Sequence, residues 1–192
     1  MRNDGDTDIP DRAGPAPVHD LREVVMGLHW TPPEHGAAVE PADLDALCVL
    51  FDSNQHVLEV VCPAHPRNAN GSTIHTGDSR SGASEWDDER IFVFLEALPE
   101  SVSFLAFVVV SVTGRAFSEV RGASCHISDH LTEHEWVRVQ LTDLGRHTAH
   151  CVATMHRGAT GWEPPTSDAR AINAESMTQL LSWAGSRKGS AV

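Results

Sequence analysis

The stretch His75–Glu89, HTGDSRSGASEWDDE, carries the densest chemistry in the chain. Asp78, Glu85, Asp87, Asp88 and Glu89 put five carboxylates into twelve residues, with Arg80 as the one cation among them. Like charges this close repel one another unless a cation lies between them. Carboxylates are hard oxygen donors, which suit Ca²⁺ or Mg²⁺ rather than zinc or copper. Gly77 and Gly82 permit tight turns, and Ser79, Ser81 and Ser84 add neutral oxygens. Counted from Asp78, Glu89 takes the twelfth place, like the last ligand of an EF-hand loop. The third place is Arg80, however, Gly82 comes one place early, and the flanking residues are not helical. The reading is a calcium-type loop on a β scaffold. Asp43 and Asp45 form a second acidic pair on one side of an extended chain, at the mouth of the apolar run Leu44–Asp52. A carboxylate that opens a core strand is costly unless it finds a partner. A cation shared with the acidic loop supplies one. The plainer alternative is a solvated acidic loop at a strand entrance.

The elements that must hold these residues are short. VVMGLHW (Val24–Trp30) is an apolar run stopped by Pro32-Pro33, and LDALCVLFD (Leu44–Asp52) ends in the polar turn SNQH. VLEVVCP (Val57–Pro63) follows at hairpin distance, and Asn70-Gly71 marks a turn before the acidic loop. ERIFVFLEALP (Glu89–Pro99) suits a strand, with LEALP able to form one helical turn. VSFLAFVVVSV (Val102–Val112) is apolar on both faces, as in a strand buried on both sides. Ser118–Ser128, His134–Asp143 and His147–Gly158 complete about eight strands. Ala174–Gly185 reads as an amphipathic helix, with Met177, Leu180, Leu181 and Ala184 at helical spacing. Many strands without interleaved helices predict an all-β fold, a β-sandwich of two mostly antiparallel sheets with a short C-terminal helix. Residues 1–20, acidic and rich in Pro and Gly, read as a disordered tail, leaving 21–192 as one domain.

A formal net charge of −13 argues against a nucleic-acid surface, which needs a basic stripe, and against docking on anionic lipid. No apolar run reaches membrane-spanning length, and the first twenty residues lack the apolar core of a signal peptide, so the chain reads as cytoplasmic. Cys48, Cys62, Cys125 and Cys151 are scattered and read as reduced, buried thiols. Cys125, His126, His130 and His134 could in principle bind zinc, but the segment bridges two strands and reads as a solvated polar loop. His147, His150 and His156 do not share one strand face. His75 precedes the acidic loop, where its ring can support a ligating carboxylate. Trp86, flanked by charges, either lies against the loop or stands exposed as a docking anchor. No nucleophile elbow and no phosphate-binding loop is present.

HTGDSRSGASEWDDE resembles the hallmark of the tellurium-resistance TerD family, approximately HTGDNRTGEGDGDDE. VVMGLHW, DLDALCVLFD, ANGSTIHTGD, VSFLAFVVV and EVRGASCHI resemble further family segments in the same order, over roughly residues 22–165. The resemblance implies a calcium-binding β-sandwich in bacterial stress systems linked to tellurite, phage and toxin tolerance. It carries the family's calcium ligands onto Asp78, Asp87, Asp88 and Glu89, with Glu85 in place of an Asp, and onto Asp45 and Asp43. Ser84 and Trp86 replace family glycines, and the family's upstream asparagines and its acidic H-D-A-D are missing, which argues for one calcium site rather than two. The expected function is a non-enzymatic calcium-binding module with a protein partner in a stress complex. The alternatives are a Mg²⁺-, Mn²⁺- or Ca²⁺-dependent hydrolase built on the same loop, and a metal-free interaction domain.

Overall fold

The computed structural model describes residues 21–34 and 40–167. The acidic tail expected at 1–20 and the helix expected at Ala174–Gly185 lie outside the described residues. Among the described residues ten strands follow one another: β1 (Glu23–His29), β2 (Leu44–Phe51), β3 (Val57–Val61), β4 (Thr73–Thr76), β5 (Glu89–Phe94), β6 (Phe104–Ser111), β7 (Ser124–Asp129), β8 (Glu135–Gln140), β9 (Ala149–Gly158) and β10 (Gly161–Trp162). They form two five-stranded sheets, ordered β4-β5-β1-β7-β8 and β10-β9-β6-β2-β3. Every pairing between these strands is antiparallel.

The sequence explains which strands lie where. β2 and β6 are buried at every position, so they neighbour each other inside the second sheet, with Leu44 opposite Ser111 and Phe51 opposite Phe104. One face of β2 (Leu44, Ala46, Cys48, Leu50) meets Met26, Leu28, Ile91, Val93 and Ile127 of the first sheet, and this is the main core. Its other face (Leu47, Val49, Phe51) joins Phe104, Ala106, Val108 and Cys151 in a second apolar cluster. β8 instead alternates exposed and buried positions, as an edge strand with one wet face does.

Two strands go beyond the eight expected. β4 is four residues long and β10 two, too short for alternation to register. The helical turn foreseen in LEALP is a 3-10 turn at Leu95–Ala97, directly after β5. Cys125 and His126 lie inside β7, within the strand expected over Ser118–Ser128 and outside the polar loop read from the histidine cluster. Consecutive strand residues face opposite ways. Cys125 therefore enters the core while His126 turns outward, and the two cannot share a zinc ion. His130 and His134 pack edge-on against Phe92 and Trp136 instead.

The chain crosses between the sheets from β1 to β2. The β4–β5 hairpin closes with residues 77–88, the acidic loop. Asp88 donates its backbone N–H to the Leu28 carbonyl at 2.7 Å, which brings this loop to the end of β1 where the crossing begins.

Candidate metal centre

Three carboxylates converge at this end of the sandwich. One oxygen each from Asp43, Asp45 and Asp78 lies within 4.8 Å of the others. Asp45 is the second residue of β2 and is buried; Asp43 precedes the strand and is half-buried; Asp78 comes from the acidic loop and is exposed. The cluster thus joins one sheet's loop to the other sheet's strand entrance.

Glu89 is a further carboxylate at this end of the sandwich. It opens β5 on the core face, in phase with Ile91 and Val93, and is fully buried. Its Oε2 accepts the Ala46 backbone N–H at 2.7 Å, a hydrogen bond that spans the two sheets next to Asp45. His75 Nε2 lies 3.2 Å from the same oxygen, with the ring buried beside β5. Glu89 Oε1 is buried with no hydrogen-bond partner among the described residues. Burial raises the Glu89 pKa above the usual glutamate range, and the Asp78 charge adds to that, while His75 and the Ala46 N–H work the other way. A buried carboxylate oxygen without a donor, within the field of the Asp78 carboxylate, is a costly arrangement that a cation relieves. The residues fit a hard divalent ion: all are oxygen donors, and one comes from a loop able to adjust.

The remaining predicted residues go elsewhere. Asp88 has no exposed side-chain surface and latches the loop. Its Oδ2 accepts the Trp30 backbone N–H at 3.0 Å, and its Oδ1 accepts the Ser84 N–H at 3.0 Å. His29 Nδ1 lies 3.1 Å from that Oδ2 and 2.8 Å from the Trp86 carbonyl, two acceptors, so this nitrogen carries the proton. Asp87 is held by Arg90 Nε at 2.9 Å and faces His126 Nε2 at 3.3 Å. Burial opposes its ionisation, but the hydrogen bonds from His126 and Arg90 outweigh that and hold its pKa below the usual range. Glu85 and Trp86 are exposed, Trp86 by 75%, and line a shallow pocket with His29, Asp87, Ser124, His126 and Arg138.

Two contacts do not follow from the sequence reading. Asp87 and His126 meet across β1 over Gly27, where a Cβ would sit 2.2 Å from His126 Nε2 and 2.6 Å from Asp87 Oδ2. Gly82, at φ +66°, lies against the Trp30 indole. Neither contact has a local signal, because each joins residues distant in sequence. Gly27 inside an apolar strand was the one visible hint of a close approach.

Comparison with known proteins agrees with this architecture. The TerD domain model matches residues 16–172. Tellurium resistance protein TerZ of Serratia marcescens is 33% identical over 150 residues, covering 74% of this chain and 77% of that protein. General stress protein 16U of Bacillus subtilis is 28% identical over 151 residues, covering 74% of this chain and 78% of that protein. The crystal structure of a homologue of telluride resistance protein (TerD) from Streptomyces coelicolor superposes with a TM-score of 0.68 at 19% identity, over 81% of this chain and 98% of that one. A domain model spanning most of the chain, a third of residues shared with one curated relative and the same two-sheet fold establish that this chain belongs to the TerD family.

Proposed function

We propose that this protein is a calcium-binding module with a role in tellurium resistance or stress response, acting by binding rather than by catalysis. The observation that carries the reading is the convergence of Asp43, Asp45 and Asp78, with the buried Glu89 held at Ala46, the residue after Asp45, and within the field of Asp78. Asp43, Asp45 and Asp78 would hold the ion, Glu89 would add its charge from the core side, and Ca²⁺ would supply charge neutralisation across the two segments. Ca²⁺ suits the donor set better than Mg²⁺, because a loop-borne Asp78 and a strand-borne Asp45 form an adjustable cage rather than a rigid octahedron. His75 and the Ala46 N–H both hold Glu89 Oε2 and so orient the carboxylate. Asp87 and Asp88 stay with their protein partners and keep the loop in place. The relatives' names support the stress or tellurium role. A reducing cytoplasmic setting suits the four free thiols. The ordered loop presents Trp86 to a protein partner.

The test is a calcium titration of chelator-stripped protein, followed by calorimetry and by melting temperature. Saturable heat and a rising melting temperature are expected, both reduced in Asp45→Asn. No heat and no shift in the wild type would refute the proposal.

A further inference from the structure

The structure assigns Trp30 as the positioning residue of the metal centre, an inference that rests on the calcium reading above. Trp30 is fully buried and touches no carboxylate oxygen of the Asp43–Asp45–Asp78 cluster in any hydrogen bond described, yet it is tied to the segments that carry the ligands. Its indole Nε1–H donates to the Ala42 carbonyl at 3.1 Å, which fixes the backbone immediately before Asp43. Its backbone N–H donates to Asp88 Oδ2 at 3.0 Å, holding the far end of the acidic loop next to Glu89. Its ring forms the floor under Gly82, where a Cβ would lie 2.3 Å from Trp30 Cδ1 and 2.4 Å from Nε1. Gly82 stands four residues after Asp78 in the same loop. Through its ring, its indole N–H and its backbone N–H, Trp30 therefore ties the strand entrance that carries Asp43 and Asp45 to the loop that carries Asp78.

The chemistry explains why Trp serves here. Tryptophan combines a large flat apolar face with a single polar donor at its edge. The face supports a loop that must pack without a Cβ, and the donor satisfies a backbone carbonyl that burial would otherwise leave unpaired. Phenylalanine keeps most of the face and the backbone N–H but loses the indole donor. The Asp43 carbonyl then keeps its bond from the Val112 N–H, but the Ala42 carbonyl before it loses its donor, and like charges held by one brace fewer move apart.

The experiment compares full-length wild type with Trp30→Phe, using Ca²⁺ alone as the probe. Calcium affinity is measured by calorimetry, and melting temperature is measured in chelator and in saturating calcium. Loss of one net hydrogen bond that preorganises the site weakens calcium binding by about three- to tenfold. The calcium-induced rise in melting temperature is expected to shrink in the variant. A purely structural Trp30 would lower both melting temperatures equally, leaving the rise and the affinity unchanged, and that result overturns the assignment. Where Trp30→Phe melts too low to titrate, Gly82→Ala decides: it forces the loop off the indole while leaving every carboxylate in the sequence. It is expected to weaken calcium binding by about tenfold or more, and unchanged affinity overturns the assignment. A wild type that ignores calcium overturns the calcium reading and this inference together. A wild type that binds, with both variants binding as well as it does, overturns the inference alone.

Discussion

Glu89→Gln separates a carboxylate kept for a cation from one kept for the fold. The amide retains an oxygen for the Ala46 N–H and nearly the same volume, so packing around the fully buried side chain persists. What disappears is a charge whose burial already raises its pKa. In chelator the variant should melt at or above wild type, because the desolvation penalty is relieved. In calcium the order should reverse. Ligand charge tunes calcium affinity over several decades, and a hundredfold loss corresponds to about 2.8 kcal/mol. With calcium at 100 times the wild-type dissociation constant, binding stabilises wild type by about 2.7 kcal/mol but the variant by only about 0.4 kcal/mol. For a domain of this size each kcal/mol moves the melting temperature by about 2–4 °C. The calcium-induced rise should then fall from about 5–11 °C to about 1–2 °C. Differential scanning calorimetry with and without chelator reads both numbers. A variant destabilised equally in both conditions would refute the reasoning, because Glu89 would then serve the fold through its hydrogen bonds alone.

Asp88→Asn tests the latch: charge-assisted bonds to the Trp30 and Ser84 N–H groups weaken, and urea unfolding in chelator should show a loss of about 2–3 kcal/mol. Gly27→Ala drives a methyl group into the Asp87–His126 contact, so a loss of about 1–3 kcal/mol is expected by the same assay, together with a changed His126 ring environment by NMR. Burial pushes the Cys151 thiol up to about 12, and Cys48 and Cys125 are also raised. Since the thiolate is the reactive form, none of these three should react with a disulfide reagent at pH 8 until the protein is unfolded. Rapid native reaction of any of them would contradict their burial.

Much of the fold was legible because it rests on local patterns. Val102–Val112 announced a strand apolar on both faces, and β6 is buried along its whole length. The clean alternation of VRVQL marked β8, which lies at a sheet edge. The short strands β4 and β10 were invisible, since four and two residues carry no period and exist because a neighbour offers hydrogen bonds.

The sequence by itself determined the donor chemistry: two sets of carboxylates, one in a glycine-containing loop and one at a strand entrance, in a chain of strands. Those are properties of residue type and spacing. Only the tertiary structure decided how the seven acidic candidates divide. Asp43, Asp45 and Asp78 meet, Glu89 bonds the Ala46 N–H, Asp87 turns to Arg90 and His126, and Asp88 turns to the end of β1. Neighbours along the acidic loop are separated by strand alternation and by the loop's path. Residues more than thirty positions apart are joined because the two sheets close at one end, and no local signal encodes a distance between sheets.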